Sequence, residues 1–166
     1  MIGDKLFDCR EMFRHACAFC ECSDMAFEKF KHDCADIEWY TIPAVVNAAF
    51  ACEVFSKALL KYYDISSKKT HGLKDMYENF PQELQEWIKI NVLNNYGRWK
   101  NVWEVPYLDN ISDAFMKWRY SYENDWSKSA VMQIETGFLI VYRNVLREAC
   151  CNMFFCKTWE EYKNQV

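Results

Sequence analysis

The 166 residues are 51% hydrophobic and 17% aromatic, which excludes a disordered chain and supplies enough apolar side chain for one substantial core. Only 4 Gly and 3 Pro occur in the whole chain, too few for a turn-rich β-sandwich, so long helices are expected. A net charge of -4 excludes a coat that holds nucleic acid by bulk charge, while leaving room for a local phosphate or RNA site.

The N-terminus, MIGDKLFDCREMFRH, is charged throughout and shows no signal-peptide pattern. No apolar run is read as reaching the ~20 residues that a bilayer span requires. A cytoplasmic protein without membrane contact is the expectation. Residues 4–36 read as a first helical arm, with Leu6, Phe7, Met12, Phe13, Ala16, Cys17 and Cys20 near helical spacing and Ala26, Phe27, Phe30 and Cys34 continuing it. Ser23 and Asp24 are a possible fresh N-cap, so the arm is one long helix or two short ones. Nine Cys, an odd number, point to reduced thiols and not to a disulfide framework. Cys17, Cys20 and Cys22, with His32 and Cys34 beyond, invite a zinc reading. Phe19 and Phe27 interleave them, however, and paired CxxC units are missing, so they are read as small hydrophobes, with no metal and no cofactor expected.

Asp36–Tyr40 form a connection, with Trp39 covering the entrance to the next helix. Thr41 is the expected N-cap and Pro43 falls in the first turn. From Pro43 to Tyr63 nothing breaks a helix of about 20 residues, roughly 30 Å long. Ala44, Val45, Val46, Ala48, Ala49, Phe50 and Ala51 make its first half apolar on nearly every face, so it belongs at the centre of the molecule. Its second half carries one polar row, Glu53, Lys57 and Lys61, in the favourable Glu-before-Lys order. The chain then turns through SSKKTHG into a short amphipathic helix (Leu73, Met76, Tyr77, Phe80) that stops at Pro81.

Gln82–Asn95 read as another helix with Leu84, Trp87, Ile88 and Leu93 on its apolar side, ended by Asn94, Asn95 and Gly97. Residues 96–107, YGRWKNVWEVPY, mix aromatic and basic side chains that can stack bases, or pin a loop to the core. Ser112–Asp113 start the next helix, whose stripe is Ile111, Ala114, Phe115, Trp118 and Tyr122, with Arg119 and Glu123 at its edge. Asn124–Ser127 turn the chain, and the final helix runs from about Lys128 to Phe155. Ala130, Val131, Ile134, Phe138, Val141, Val145 and Ala149 face inward, and Gly137 permits close approach of a neighbour. Cys150, Cys151 and Cys156 are apolar filler near its end, and a last turn, Thr158–Tyr162, packs back or frays. No repeat is present and no strand is needed, so the expectation is a single all-α domain over 1–166.

An apolar helix ending in Glu53, Lys57, Ala58, Leu59 and Leu60, followed by Lys69, Thr70, His71, Gly72 and Leu73, resembles the HEPN superfamily of small helical domains. The run Trp118–Arg119–Tyr120–Ser121–Tyr122–Glu123 is similar to what some branches carry on their third core helix. The resemblance implies a HEPN-like up-down bundle of four to five helices that forms an isologous homodimer through its last helices. It implies an RNA- or nucleotide-associated protein of toxin–antitoxin or phage-defence systems, active as a metal-independent endoribonuclease or degenerate from one. The alternative is a non-catalytic dimer that scaffolds another protein, for example a minimal nucleotidyltransferase.

Active members use an Arg-x4–6-His motif, in which His moves a proton and Arg neutralises the phosphorane. Here Arg119 meets Asn124 where His is expected, and Arg143–Asn144 runs on to Glu148 and Ala149. The literal match, Arg10 and His15, lies in the first arm, away from the family's position and on different helix faces. The candidates for catalysis are therefore Arg119, Glu123 and Asn124, with Arg10 and His15 behind them. Lys61, Lys68, Lys69, His71 and Lys74 form the densest basic stretch, and with Arg119, Tyr120 and Arg143 they are the candidate RNA or nucleotide contacts. The plainer readings are hydrated lysines, a histidine that packs the turn, and a structural ion pair at Arg119.

Overall fold

A computed structural model describes residues 2–32, 37–67, 71–96, 107–119 and 134–165. Among them are eight helices and no strand: α1 (Ile2–His32), α2 (Ile37–Tyr62), α3 (Leu73–Glu78), α4 (Gln82–Tyr96), α5 (Tyr107–Ser112), α6 (Ala114–Arg119), α7 (Thr136–Phe155) and α8 (Trp159–Lys163). The all-α expectation holds.

Helix α2 is the axis. Ala44, Val45, Ala48, Ala49, Ala51, Cys52, Phe55, Ala58, Leu59 and Leu60 are all buried, which spreads burial around the helix instead of along one stripe. Tyr40–Tyr62, 23 residues, is long and apolar enough by length and composition to cross a membrane. This corrects the reading that no run approaches bilayer length: the polar residues of the second half are too few to break the stretch. In the fold most of it is covered by α1, α3, α6 and α7, as a core helix is.

The start of α2 also differs from expectation. The helix begins at Ile37, so Thr41 is not its cap and Pro43 lies inside it. Residues 37–42 contain neither Gly nor Pro, and the helix runs through Pro43 at the loss of one backbone rung. Asn47 Nδ2 donates to the Pro43 carbonyl at 2.8 Å. Helix α1 lies antiparallel on α2. Lys5 Nζ donates to the Tyr62 carbonyl at 3.1 Å near one end, and Ser23 Oγ donates to the Ala44 carbonyl at 2.8 Å near the other. Ser23 is thus a buried tie between helices and not an N-cap, and α1 is a single helix to His32.

Helix α7 runs parallel to α2, joined where Cys150 Sγ reaches the Phe55 carbonyl and where Tyr62 packs on Phe154. Helix α4 lies antiparallel to α7. A Cβ on Gly137 would come within 3.4 Å of the Tyr96 ring, so the small residue does permit the close approach expected of it. Leu84, Ile88 and Val92 are the buried row of α4, while Trp87 and Leu93 stay half-buried. The helix expected to start at Ser112–Asp113 does so as α6, with the Lys117 N–H on the Asp113 carbonyl at 2.9 Å, while α5 before it is a short helix that the sequence pattern does not announce. Ser112 Oγ accepts the Lys74 N–H of α3 at 3.1 Å, serving the neighbouring helix. Residues 120–133, including the expected Ala130 and Val131 of the last helix, lie outside the described residues.

The last turn packs back. Cys156 takes a left-handed conformation (φ 55°), the chain reverses, and Thr158 with Glu161 forms a reciprocal capping box at the start of α8. Trp159 and Tyr162 then close on Phe13, with ring centroids 6.4 and 5.2 Å away, while Phe55 and Phe155 complete the same aromatic cluster. One buried ring therefore joins α1, α2, α7 and α8.

Candidate functional site

The basic stretch resolves into ion pairs. Glu53, only 3% exposed, turns Oε1 toward Lys57 Nζ at 2.6 Å and His71 Nδ1 at 2.9 Å. The i,i+4 spacing on α2 sets the Lys contact, and the turn before α3 brings in His71 from outside the helix. Glu53 Oε2 is buried with no hydrogen-bond partner among the described residues. Lys61 Nζ meets Asp8 at 2.6 Å and Lys74 Nζ meets Asp109 at 2.6 Å, and the latter contact raises the Lys74 pKa. Lys68 and Lys69 lie outside the described residues.

The arginines are similarly engaged. Arg143 is 2% exposed; its Nη2 reaches Asp24 of α1 at 2.8 Å and Asn144 Oδ1 at 3.2 Å. It ties α7 to α1 from inside the bundle, where a phosphate cannot reach it. Arg119 lies over the Phe115 ring at 5.5 Å. Arg10 donates through Nε and Nη2 to the Phe154 carbonyl at 3.0 and 2.7 Å, closing the end of α7, and stacks over Phe155 at 5.0 Å. His15 is exposed on α1, roughly 140° around the helix from Arg10, so the literal Arg–His match is not brought together. Tyr120, Glu123 and Asn124 lie outside the described residues.

Among the described residues no group of three His, Cys, Asp or Glu side chains converges as a metal site would require. Of the zinc-like set, Cys20 is buried, Cys17 half-buried and Cys22 exposed; the placement of Cys34 and of the His32 side chain is outside the description. Burial pushes the Cys20 thiol up to about 11 and the Cys151 thiol up to about 12, and raises Cys17, Cys52 and Cys150 as well. Thiols held protonated in this way are poor nucleophiles.

A furrow that the sequence reading did not single out runs between α4 and α7. Its larger part, about 520 Å³, is lined by Trp87, Asn91 and Asn95 of α4, by Val141, Asn144, Val145, Arg147 and Glu148 of α7, and by Trp159 of α8. A smaller hollow of about 190 Å³ lies on the other side of Trp87, lined by Tyr63, Glu83, Asn152 and Met153. Asn91 Nδ2 donates to the Trp87 carbonyl at 2.8 Å and Asn95 Nδ2 to the Asn91 carbonyl at 2.7 Å, which fixes both carboxamides on the rim. Arg147 lies over the Trp159 ring at 4.2 Å, and its Nε is buried without a hydrogen-bond partner among the described residues. Glu148 Oε2 accepts the Trp159 N–H at 3.0 Å and so anchors α8 as a wall of the furrow. The row Trp87, Asn91, Asn95 at i, i+4, i+8 was a visible signal, but which helix faces it is not written in a local pattern.

Comparison with protein-family models, with curated proteins and with solved structures returns no match.

Proposed function

We propose that the chain is a HEPN-like helical module that binds another protein and performs no cleavage itself, with the α4–α7 furrow as its receiving face. The observation that carries this reading is the pairing of the cations. Lys57, Lys61, Lys74 and Arg143 each face a carboxylate within 2.8 Å. A lysine or arginine already neutralised by a carboxylate draws little from a phosphate, and the particle carries -4 overall. The resemblance supports the same outcome, since its residues Glu53, Lys57 and His71 meet in one ion cluster that holds α2 against the turn before α3.

An RNA-associated domain of toxin–antitoxin or phage-defence type is the second reading. One observation favours it: His71 is 56% exposed and its Nδ1 is held by a buried carboxylate, an arrangement that presents the other ring nitrogen outward for proton transfer. Incubation of a mixed RNA substrate without added metal separates the two, comparing wild type with His71→Ala, Arg119→Ala and His15→Ala. The module reading expects no cleavage above buffer by any of them. Cleavage by wild type that His71→Ala or Arg119→Ala abolishes reverses the order of the readings.

A further inference from the structure

We infer that the α4–α7 furrow takes one extended peptide segment, held through its backbone by Asn91 and Asn95 and through a carboxylate by Arg147. The inference rests on the binding-module reading and names the partner's chemistry.

Shape comes first. The two parts of the furrow share Trp87 and follow α4 from Glu83 to Asn95, twelve steps along the helix. That is about 18 Å, the length of five or six residues of extended chain. Two hollows set end to end along one helix fit successive side chains of a strand better than a compact metabolite.

The spacing of the carboxamides agrees. Asn91 and Asn95 stand one turn apart, a rise of about 6 Å, while same-face residues of an extended strand repeat at about 6.6 Å. Each side chain spends one Nδ2–H on the carbonyl one turn back. Each keeps its Oδ1 and a second N–H, which together match the N–H and C=O of a peptide unit. Asn144 Oδ1 accepts from Arg143, so on the opposite wall its amide hydrogens are what remains to be offered.

Arg147 supplies the charged contact. Its guanidinium carbon lies 4.2 Å from the centre of the Trp159 ring and both residues line the furrow, so an incoming carboxylate would meet a cation already seated on an aromatic wall. Arginine with tryptophan would also suit single-stranded nucleic acid. Glu83 and Glu148 line the same furrow, however, and a phosphate at every step would meet those carboxylates. A peptide can set its own N–H groups or a basic side chain there.

The test is selection of a displayed library of random dodecapeptides on the immobilised full chain, followed by fluorescence polarisation with the enriched peptides. We expect enrichment over bare support. Binding should fall about tenfold or more with Asn91→Ala/Asn95→Ala, and again with Arg147→Gln, as lost hydrogen bonds of this kind imply. Methylating alternate backbone nitrogens of a selected peptide should weaken binding similarly, and that measurement leaves the protein untouched. Absence of enrichment overturns the peptide assignment. So does binding that survives both the Asn substitutions and backbone methylation, or an Asn91→Ala/Asn95→Ala protein that changes its own oligomeric state, which would make a second copy the occupant. Failure of the selection with RNA left intact removes the peptide and leaves the module reading in place; RNA cleavage lost in His71→Ala removes the module reading itself.

Discussion

Glu53 holds the Lys57 ammonium and the His71 ring on one oxygen while its second oxygen is buried without a partner among the described residues. Desolvating a carboxylate is costly, and it persists only where opposite charge is near. Here both partners come from one side, and both are more exposed than Glu53 itself. Removing the carboxylate strands Lys57 and His71 beside the core, whereas removing His71 leaves the Lys57 contact intact. Glu53→Ala should therefore lower unfolding stability by about 2 kcal/mol, and His71→Ala by about half of that. Urea denaturation of the two variants measures both. A Glu53→Ala protein as stable as wild type would mean that the cluster contributes nothing to holding the turn before α3.

At the scale of elements, α8 shows how a five-residue helix is retained. It is far too short to be stable alone. Thr158 accepts the Glu161 N–H at 3.2 Å while Glu161 Oε2 accepts the Thr158 N–H at 2.8 Å, and the Trp159 and Tyr162 rings bury themselves against Phe13 and Phe155. Thr158→Ala should cost about 1 kcal/mol of local stability, seen as faster amide exchange through residues 158–163. The Thr158 N–H and hydroxyl hold the Glu161 carboxyl below its ordinary range. A carboxyl with a depressed folded-state value stabilises fully above its unfolded value, and that contribution is lost as pH falls through the folded one. Protection of the α8 amides, taken relative to the intrinsic exchange rate at each pH, should therefore fall as pH drops below the ordinary carboxyl range, and the Glu161→Gln protein should show little of this pH dependence. Equal loss of protection in both proteins would dissociate the box from the effect. The expectation that Thr158–Tyr162 packs back or frays was legible because its capping residues and rings are local. The start of α2 departs from expectation for the opposite reason: Thr41 and Pro43 have the chemistry of a helix start, yet residues 37–42 hold no Gly or Pro to stop the helix upstream of them.

For the whole molecule, the core was the most legible part, because burial follows from apolar run and period: Ala44–Leu60 encodes its own centrality. The candidate site was not legible in the same way. Sequence shows Lys61, His71 and Lys74 as one basic run, but Asp8 and Asp109, which neutralise Lys61 and Lys74, stand 53 and 35 residues away and are joined to them only by folding. The furrow likewise depends on Asn91 and Asn144 facing each other from two helices. The cysteines carry the last consequence of this packing. The eight described cysteines form no disulfide; Cys22 and Cys156 are exposed, whereas Cys52 and Cys150 are fully buried between α1, α2 and α7, with their thiols pushed up by desolvation. A thiol reagent needs both access and thiolate, and the inner pair lacks both. With an aromatic disulfide at pH 8, Cys22 and Cys156 should label within the first minutes. Cys52 and Cys150 should label only at the rate at which the bundle opens globally, rising with urea in step with loss of helical signal. Peptide mapping by mass spectrometry assigns each site. Early labelling of Cys52 in native buffer would mean that α1 and α7 part from α2 without global unfolding, and that the central helix is not enclosed as the structure has it.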